Sequence, residues 1–177
     1  LKKILVTGSD GFIGRALVNR LLAEGFAVEG LDLAQGDITD PSCFDRYDRK
    51  NYHHVIHLAG KTFVPDSWKN PAAFYHINLS GTVNVLEFCR KTGAGLTYIS
   101  SYLYGPPEYL PVDENHPVKS YNPYSHSKLL ADNTCQFYAL NFKLRVSVLR
   151  PFNAYGPAQP SHFIIPEIIE MVNNPSI

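Results

Sequence analysis

The sequence predicts an α/β domain, a parallel sheet doubly wound by helices on both faces. Three observations carry this. Short apolar runs of strand length recur at 3–6, 26–32, 54–59, 96–100 and 144–150. Longer segments with apolar residues at three- and four-residue spacing separate most of them, and that alternation implies parallel strands joined by crossover helices. The first run leads without a gap into Gly8, Gly11 and Gly14, and then into a helical pattern.

Taken in order, Lys3–Val6 is the first buried strand, and Thr7–Gly14 is the glycine-rich turn. Ile13, Leu17 and Leu21 then fall on one face of a helix, beside Ala16, Val18 and Leu22. Gly25 stops that helix, and Phe26–Asp32 reads as the second strand. His54–Ala59 is a third, ending at Gly60. Pro71–Lys91 is a long helix with Gly93 just past its end. Leu96–Ser100 is the next strand, and the proline-rich 102–120 is a loop. Pro123–Asn141 is a second long helix, Leu144–Arg150 a further strand and Ile164–Asn173 a last helix. Almost nothing separates Asp32 from the acidic turn Gly36–Asp40. A doubly wound domain normally spends a helix and a strand there, so this sheet is expected to lack that edge unit.

Bulk properties narrow the function classes. At 177 residues there is room for one domain with a proper core. Sixteen basic residues balance sixteen acidic ones, with no block of like charge, which argues against nucleic acid or an anionic membrane as partner. No apolar run approaches membrane-spanning length. Cys43, Cys89 and Cys135 are far apart and odd in number, as expected of reduced thiols in a cytoplasmic protein. His53, His54 and His57 cluster, but no carboxylate or cysteine completes a metal-ligand spacing, so no metal is expected.

The glycine spacing has a physical purpose. One glycine allows the tight turn, one lets the backbone approach a pyrophosphate, and one lets the helix pack closely on its strand. The phosphates then meet the unpaired N–H groups of a helix N-terminus. Asp32, 24 positions after Gly8, ends the second strand, where a carboxylate can accept hydrogen bonds from ribose hydroxyls and would repel a 2′-phosphate. No Arg or Lys lies in Leu33–Gln35, so NAD is preferred over NADP. Tyr124 and Lys128 stand four apart on a helix and project from one face. A phenol with an ordinary pKa near ~10 is a poor base at neutral pH, and a neighbouring ammonium lowers that value. The result is a Rossmann-type domain in which proton exchange with a sugar hydroxyl is feasible.

Thr7–Gly14, His57-Leu58-Ala59-Gly60, Asn78, Ser100–Gly105, Asn122-Pro123-Tyr124 with Lys128, and Leu149–Pro157 occur in one order and at one set of spacings. Together they resemble the extended short-chain dehydrogenase/reductases, and within them the nucleotide-sugar epimerase/dehydratase family. The resemblance implies roles. Ser100, five residues before Gly105, would hydrogen-bond the substrate oxygen, Tyr124 would be the base, and Lys128 would bind the nicotinamide ribose and lower the Tyr124 pKa. Gly8, Gly11 and Gly14, with Phe12 and Ile13 in the turn, would hold the pyrophosphate and Asp32 the ribose. Asp37 and Ile38 would border the adenine. Leu58, Ala59, Gly60 and Lys61 would line the nicotinamide side, with Asn78 and Pro151 in the same cofactor shell. Ser101 and Asn153 would contact a nucleoside-diphosphate sugar. The helices 71–91 and 123–141 would pair with a second copy to form a homodimer. Residues 1–177 would form the NAD-binding domain, with about 151–177 beginning the substrate-binding part.

Departures from the family pattern narrow the chemistry. The 4,6-dehydratases carry an acid pair directly after the catalytic position, and Ser101 and Tyr102 stand there instead. The short stretch between Asp32 and Asp37 is more like the keto-sugar reductases. Val64-Pro65-Asp66-Ser67 with Asn70-Pro71 is more like the epimerases, and this cue is given more weight. The reading is therefore an NAD-dependent 4-epimerase of a nucleoside-diphosphate hexose, with a keto-sugar reductase as the alternative. The intact Ser100, Tyr124 and Lys128 argue against a third reading, a cofactor-binding regulatory protein without turnover. Family members run longer, with a C-terminal region closing over the sugar nucleotide, so most of that region is expected to be missing here.

Overall fold

The computed structural model describes residues 1–47 and 51–174; residues 175–177 of the expected substrate-binding part lie outside the described residues. Five strands, β1 (Lys3–Thr7), β2 (Ala27–Leu31), β3 (His54–His57), β4 (Gly95–Ile99) and β5 (Val146–Leu149), form one sheet in the order β2-β1-β3-β4-β5. All four pairings are parallel. The chain leaves β1 towards one edge and β3 towards the other. Right-handed crossovers therefore put helix α1 (Phe12–Ala23) on one face and α4 (Gly81–Thr92) and α5 (Pro123–Phe142) on the other. Such a reversal of direction opens a crevice beyond the carboxyl ends of the strands, here between β1 and β3.

β2 is an edge strand, and from it the chain passes through the Asp37–Asp40 turn and a 3₁₀ turn (Pro41–Phe44) towards β3. The expected loss of an edge unit is thus seen as a five-stranded sheet. The strands are apolar because both faces are covered: Leu5, Val6, Leu31, Val55 and Leu96 have no exposed surface, each such burial contributing roughly 1.5–3 kcal/mol. Phe44, Tyr52 and Phe88 close the core near the short β2–β3 connection, with Phe44 stacked on Phe88 at 5.2 Å.

Three features depart from the expected elements. Val64–Lys69 forms a short helix, α2, in a stretch to which the sequence reading assigned no element. The long helix from Pro71 is not uniform: α3 (Pro71–Tyr75) widens into a π-helical turn (His76–Ser80) before α4. The third strand stops at His57, which leaves Leu58–Gly60 as a turn at the strand end, free to face a ligand. By contrast, α6 (Ile164–Asn173) has the expected limits.

The start of α5 is fixed closely. Asn122 accepts from the Ser125 N–H at 2.7 Å, and Asn122 N–H donates back to Ser125 Oγ at 3.2 Å. Pro123 takes the first helical position, where its missing N–H costs nothing. Tyr124 is thereby set in the first turn.

Candidate active site

At the mouth of the crevice the glycines divide their tasks. Gly8 has φ +72°, and a β-carbon on it would stand 2.7 Å from Ala59 N, so it lets β1 and the end of β3 meet. A β-carbon on Gly14 would lie 2.0 Å from Gly8 O, so Gly14 lets α1 rest on the turn. Gly11 is exposed, has an ordinary φ of −71°, and caps α1 without any side-chain hydrogen bond. The first turn of α1 carries no acidic residue. Its free N–H groups, at Phe12, Ile13 and Gly14, face outward as a positive end suited to a pyrophosphate. The chain therefore fits the diphosphate of a dinucleotide.

Asp32 follows β2, one residue later than its expected place within the strand. Its two carboxylate oxygens accept from Asp10 N–H and Leu33 N–H, each at 2.9 Å, which aims the group across the turn beside α1. An open cleft of about 470 Å³ adjoins it, lined by Ser9, Asp10, Asn19 and Gln35 among others. Arg15 from α1 also lines that cleft. Inspection of residues 33–35 for basic side chains missed it, because the helix, not the strand end, brings the charge. Asp37 is exposed and accepts from Thr39 N–H and Oγ1–H. Ile38 is a core residue whose side chain is pressed against Gly81.

Behind the crevice runs a buried hydrogen-bonded relay. Thr82 Oγ1 donates to Asn78 O at 2.6 Å, so His57 Nε2–H donates to Thr82 Oγ1 at 3.0 Å. His57 Nδ1 then accepts from Thr7 Oγ1 at 2.6 Å. Burial, helped by the Lys128 charge, pushes the His57 pKa down to about 3, so the ring is a neutral strut. With His54 Nε2 bonded to Thr97 Oγ1 at 2.8 Å, both strand histidines are engaged within the fold. Asn78, in the π-helical turn, accepts from Lys61 N–H at 2.8 Å and donates to Lys61 O and Ser127 Oγ. Its amide is wholly used in tying the 58–61 turn to α5. The wide turn is what lets this side chain reach across. Gly60 and Lys61 are exposed at that turn, and Leu58 and Ala59 half-buried.

Lys128 is buried, donates to Ile99 O at 2.6 Å and rests 4.4 Å over the Tyr98 ring. Burial draws its pKa down to about 7 against the opposing pull of Cys135 and Asp132. Burial raises the Tyr124 pKa, and the Ser101 side chain, as its hydrogen-bond partner, lowers it. Ser100 is buried and donates to Asp132 Oδ2 at 3.2 Å. It is in phase with Leu96 and Tyr98, both buried on the side of α5, the helix that carries Tyr124. Burial outweighs the Ser101 effect, so the Tyr124 pKa stands above its ordinary value in the absence of cofactor. Pro151 is half-buried and Asn153 exposed in the segment after β5.

Some site residues escaped the sequence reading. Tyr98, Asp132 and Arg150 surround Ser100 and Lys128. Asp132 carried a signal, since it stands four residues after Lys128 on the same helix face. No group of three His, Cys, Asp or Glu side chains that could hold a metal ion occurs among the described residues, and no described helix is long and apolar enough to cross a membrane.

Fold and crevice define a dinucleotide-binding α/β domain with a tyrosine and a lysine on one helix at its rim. The profile of the NAD dependent epimerase/dehydratase family matches residues 4–175, and the chain belongs to that family. A putative UDP-glucose 4-epimerase of Methanocaldococcus jannaschii is 34% identical over 174 residues, covering 88% of this chain and 57% of the relative. A GDP-6-deoxy-D-mannose reductase of Pseudomonas aeruginosa is 34% identical over 170 residues, covering 93% and 56%. Among solved structures, RMD from Pseudomonas aeruginosa with NADPH superimposes with a TM-score of 0.84 at 35% identity, covering 93% of this chain and 59% of that one. UDP-glucose 4-epimerase from Brucella ovis with NAD gives 0.84 at 32% identity, covering 88% and 53%. The chain spans just over half the length of these relatives. They are enzymes, and their cofactor is NAD in one structure and NADPH in the other.

Proposed function

We propose that this chain is the cofactor-binding and catalytic part of an NAD-dependent epimerase acting at C4 of a nucleoside-diphosphate hexose. The observation that carries the reading is Tyr124 in the capped first turn of α5 with Lys128 one turn along, bonded to Ile99 O at the end of β4, where Ser100 also meets α5. When bound, NAD supplies reversible acceptance of a hydride from the sugar carbon. Tyr124 takes the hydroxyl proton and later returns it. Ser100 donates a hydrogen bond to the sugar oxygen as it gains carbonyl character, with Ser101 beside it as a substrate contact. Lys128, drawn down to about 7, changes charge near neutrality and in its protonated form favours the phenolate. Gly11 and the α1 N-terminus hold the diphosphate and Asp32 the ribose, while Lys61, Pro151 and Asn153 lie on segments at the crevice rim. Residues from about 151 begin the sugar-nucleotide half.

The test is incubation of the whole protein with UDP-galactose, following UDP-glucose formation by chromatography and enzyme-bound nicotinamide by absorbance. Interconversion without net cofactor use is expected. No interconversion with any common nucleoside-diphosphate hexose overturns the reading. Arg15 in the cleft beside Asp32 favours a second reading, a keto-sugar reductase that exchanges its cofactor, since a guanidinium there suits a 2′-phosphate. Stoichiometric consumption of NADPH with a 4-keto sugar nucleotide would select it.

The same proposal includes a homodimer through the helices of 71–91 and 123–141, supported on α5 by the exposed Phe137, Leu140 and Phe142 at its C-terminal end. Light scattering of the whole protein, with Leu140→Glu as the disrupting variant, tests it. A cytoplasmic setting is supported by three unpaired cysteines, two of them buried.

A further inference from the structure

Lys128 is a buried ammonium, and a buried charge normally has a counter-charge beside it. Among the described residues it forms no ion pair. Asp132, four residues further along α5, gives its carboxylate to Arg150, Ser100 and Gln136. Two neutral groups stand in its place. Ile99 O accepts from Lys128 Nζ at 2.6 Å, and the face of the Tyr98 ring lies with its centroid 4.4 Å from that nitrogen. A cation this close to an aromatic face, and shielded from water, is held by the negative side of the ring quadrupole. The ring itself cannot slide. Tyr98 is buried on β4 and packs 5.6 Å from His57, whose two nitrogens are bonded to Thr7 at the end of β1 and Thr82 on α4.

We propose that Tyr98 is a positioning residue: its ring face, backed by His57, seats the Lys128 ammonium beside Ile99 O, one helical turn from Tyr124. The inference rests on the reading of Tyr124 and Lys128 as the proton-transfer pair. The titratable groups facing Lys128 are Tyr98 from β4, His57 from β3, and Cys135 and Asp132 from α5. Burial works against the charged form of Lys128, while Cys135 and Asp132 favour it. The ring face adds to the favourable side, because it interacts with the ammonium and not with the neutral amine. Near neutrality more of Lys128 then stays in the form that favours the Tyr124 phenolate.

The experiment reads the Lys128 midpoint by NMR of lysine labelled at its ε carbon, in the whole protein with NAD present, the signal being assigned by its loss in Lys128→Arg. Tyr98→Leu removes the ring face and is expected to lower the midpoint by about one unit, tenfold less ammonium on the alkaline side. Tyr98→Phe keeps the face and should leave the midpoint in place. An unchanged or raised midpoint in Tyr98→Leu overturns the inference. An equal fall in Tyr98→Phe also overturns it, since the hydroxyl and not the ring face would then be responsible. Where Tyr98→Leu does not fold, Tyr98→Phe with one, two or three fluorine atoms on the ring keeps the shape and weakens the negative face. A stepwise fall with fluorine is expected, and a flat series overturns the inference. The pH at which kcat declines on the alkaline side should fall with the midpoint. A decline that stays in place while the midpoint falls overturns the positioning role and leaves the functional reading. Absence of UDP-galactose turnover in wild type removes that reading instead, and the midpoints alone then decide the seating of Lys128.

Discussion

Ser100 donates its hydroxyl proton to the buried carboxylate of Asp132, 3.2 Å away, on the helix that also carries Tyr124 and Lys128. Its neighbour Ser101 is half-exposed. The two serines should therefore respond differently to loss of the hydroxyl.

Ser100→Ala removes the donor to the developing carbonyl, and a loss of about 10²–10³ in kcat is expected. It also deletes a buried hydrogen bond to Asp132 and should cost about 1 kcal/mol in stability. Ser101→Ala should leave stability within roughly 0.5 kcal/mol, since Ser101 is half-exposed, with only a several-fold loss in kcat. Steady-state kinetics with urea unfolding of both variants checks this. The reverse ranking in kcat would move the catalytic role to Ser101.

The glycine turn makes a second contrast. Gly14→Ala puts a β-carbon into the Gly8 carbonyl, backbone against backbone, and should destabilise by about 3 kcal/mol or more, lowering soluble yield. Gly11→Ala meets only Gly8 O at 3.2 Å from an ordinary φ, so the fold should survive with a near-native melting temperature. The added methyl instead stands where a pyrophosphate approaches α1, and NAD affinity should fall about tenfold or more. Calorimetric titration with NAD beside thermal melting separates the two. Equal melting temperatures for both variants would contradict the division of tasks.

Most of the fold was legible because the strands are buried on both faces and so read as continuous apolar runs, with the glycine turn marking where the first helix starts. The missing edge unit was legible too, from the few residues between Asp32 and Asp37. The Val64–Lys69 helix was not, since six residues with a proline in the first turn carry too little periodicity. Counting back from Gly105 reaches Ser100, but its hydrogen bond to Asp132 was not legible, because that carboxylate comes from α5, 32 residues further on. Arg15 was invisible for a related reason: it enters the ribose end of the crevice from a different element.

Arg15, on the cleft lined by Asp10 and Gln35, and Asp32, which is bonded to both of those residues, make cofactor choice testable. Asp32→Ala removes the carboxylate that accepts ribose hydroxyls and repels a 2′-phosphate. NADH affinity should drop about tenfold, while NADPH affinity holds or rises. Arg15→Ala should weaken NADPH more than NADH. Fluorescence titration of both reduced cofactors reads this directly. Parallel losses of NADH and NADPH in both variants would mean neither side chain discriminates at the 2′ position.

His57 sets the acid limit of the fold. Buried between Thr7 and Thr82 and packed 5.6 Å from the Tyr98 ring, it is held neutral with a pKa of about 3, against an ordinary value near ~6.5 when unfolded. Between those two values the unfolded chain binds a proton that the folded chain refuses. Stability is therefore fully present above pH ~6.5 and falls as pH drops, by up to about 1.4 kcal/mol per unit from this ring alone. The fold opens when that loss matches its reserve, so His57 need never titrate in place. His57→Gln keeps a donor and an acceptor but cannot take the proton. At pH 7 it should be less stable by about 1–3 kcal/mol, because its bonds to two threonines are imperfectly replaced. Between pH 6 and pH 4 that deficit should shrink by about 1.4 kcal/mol per unit. Urea unfolding at pH 7, 6, 5 and 4 measures it, and curves for wild type and variant that stay parallel would show that the acid sensitivity arises elsewhere.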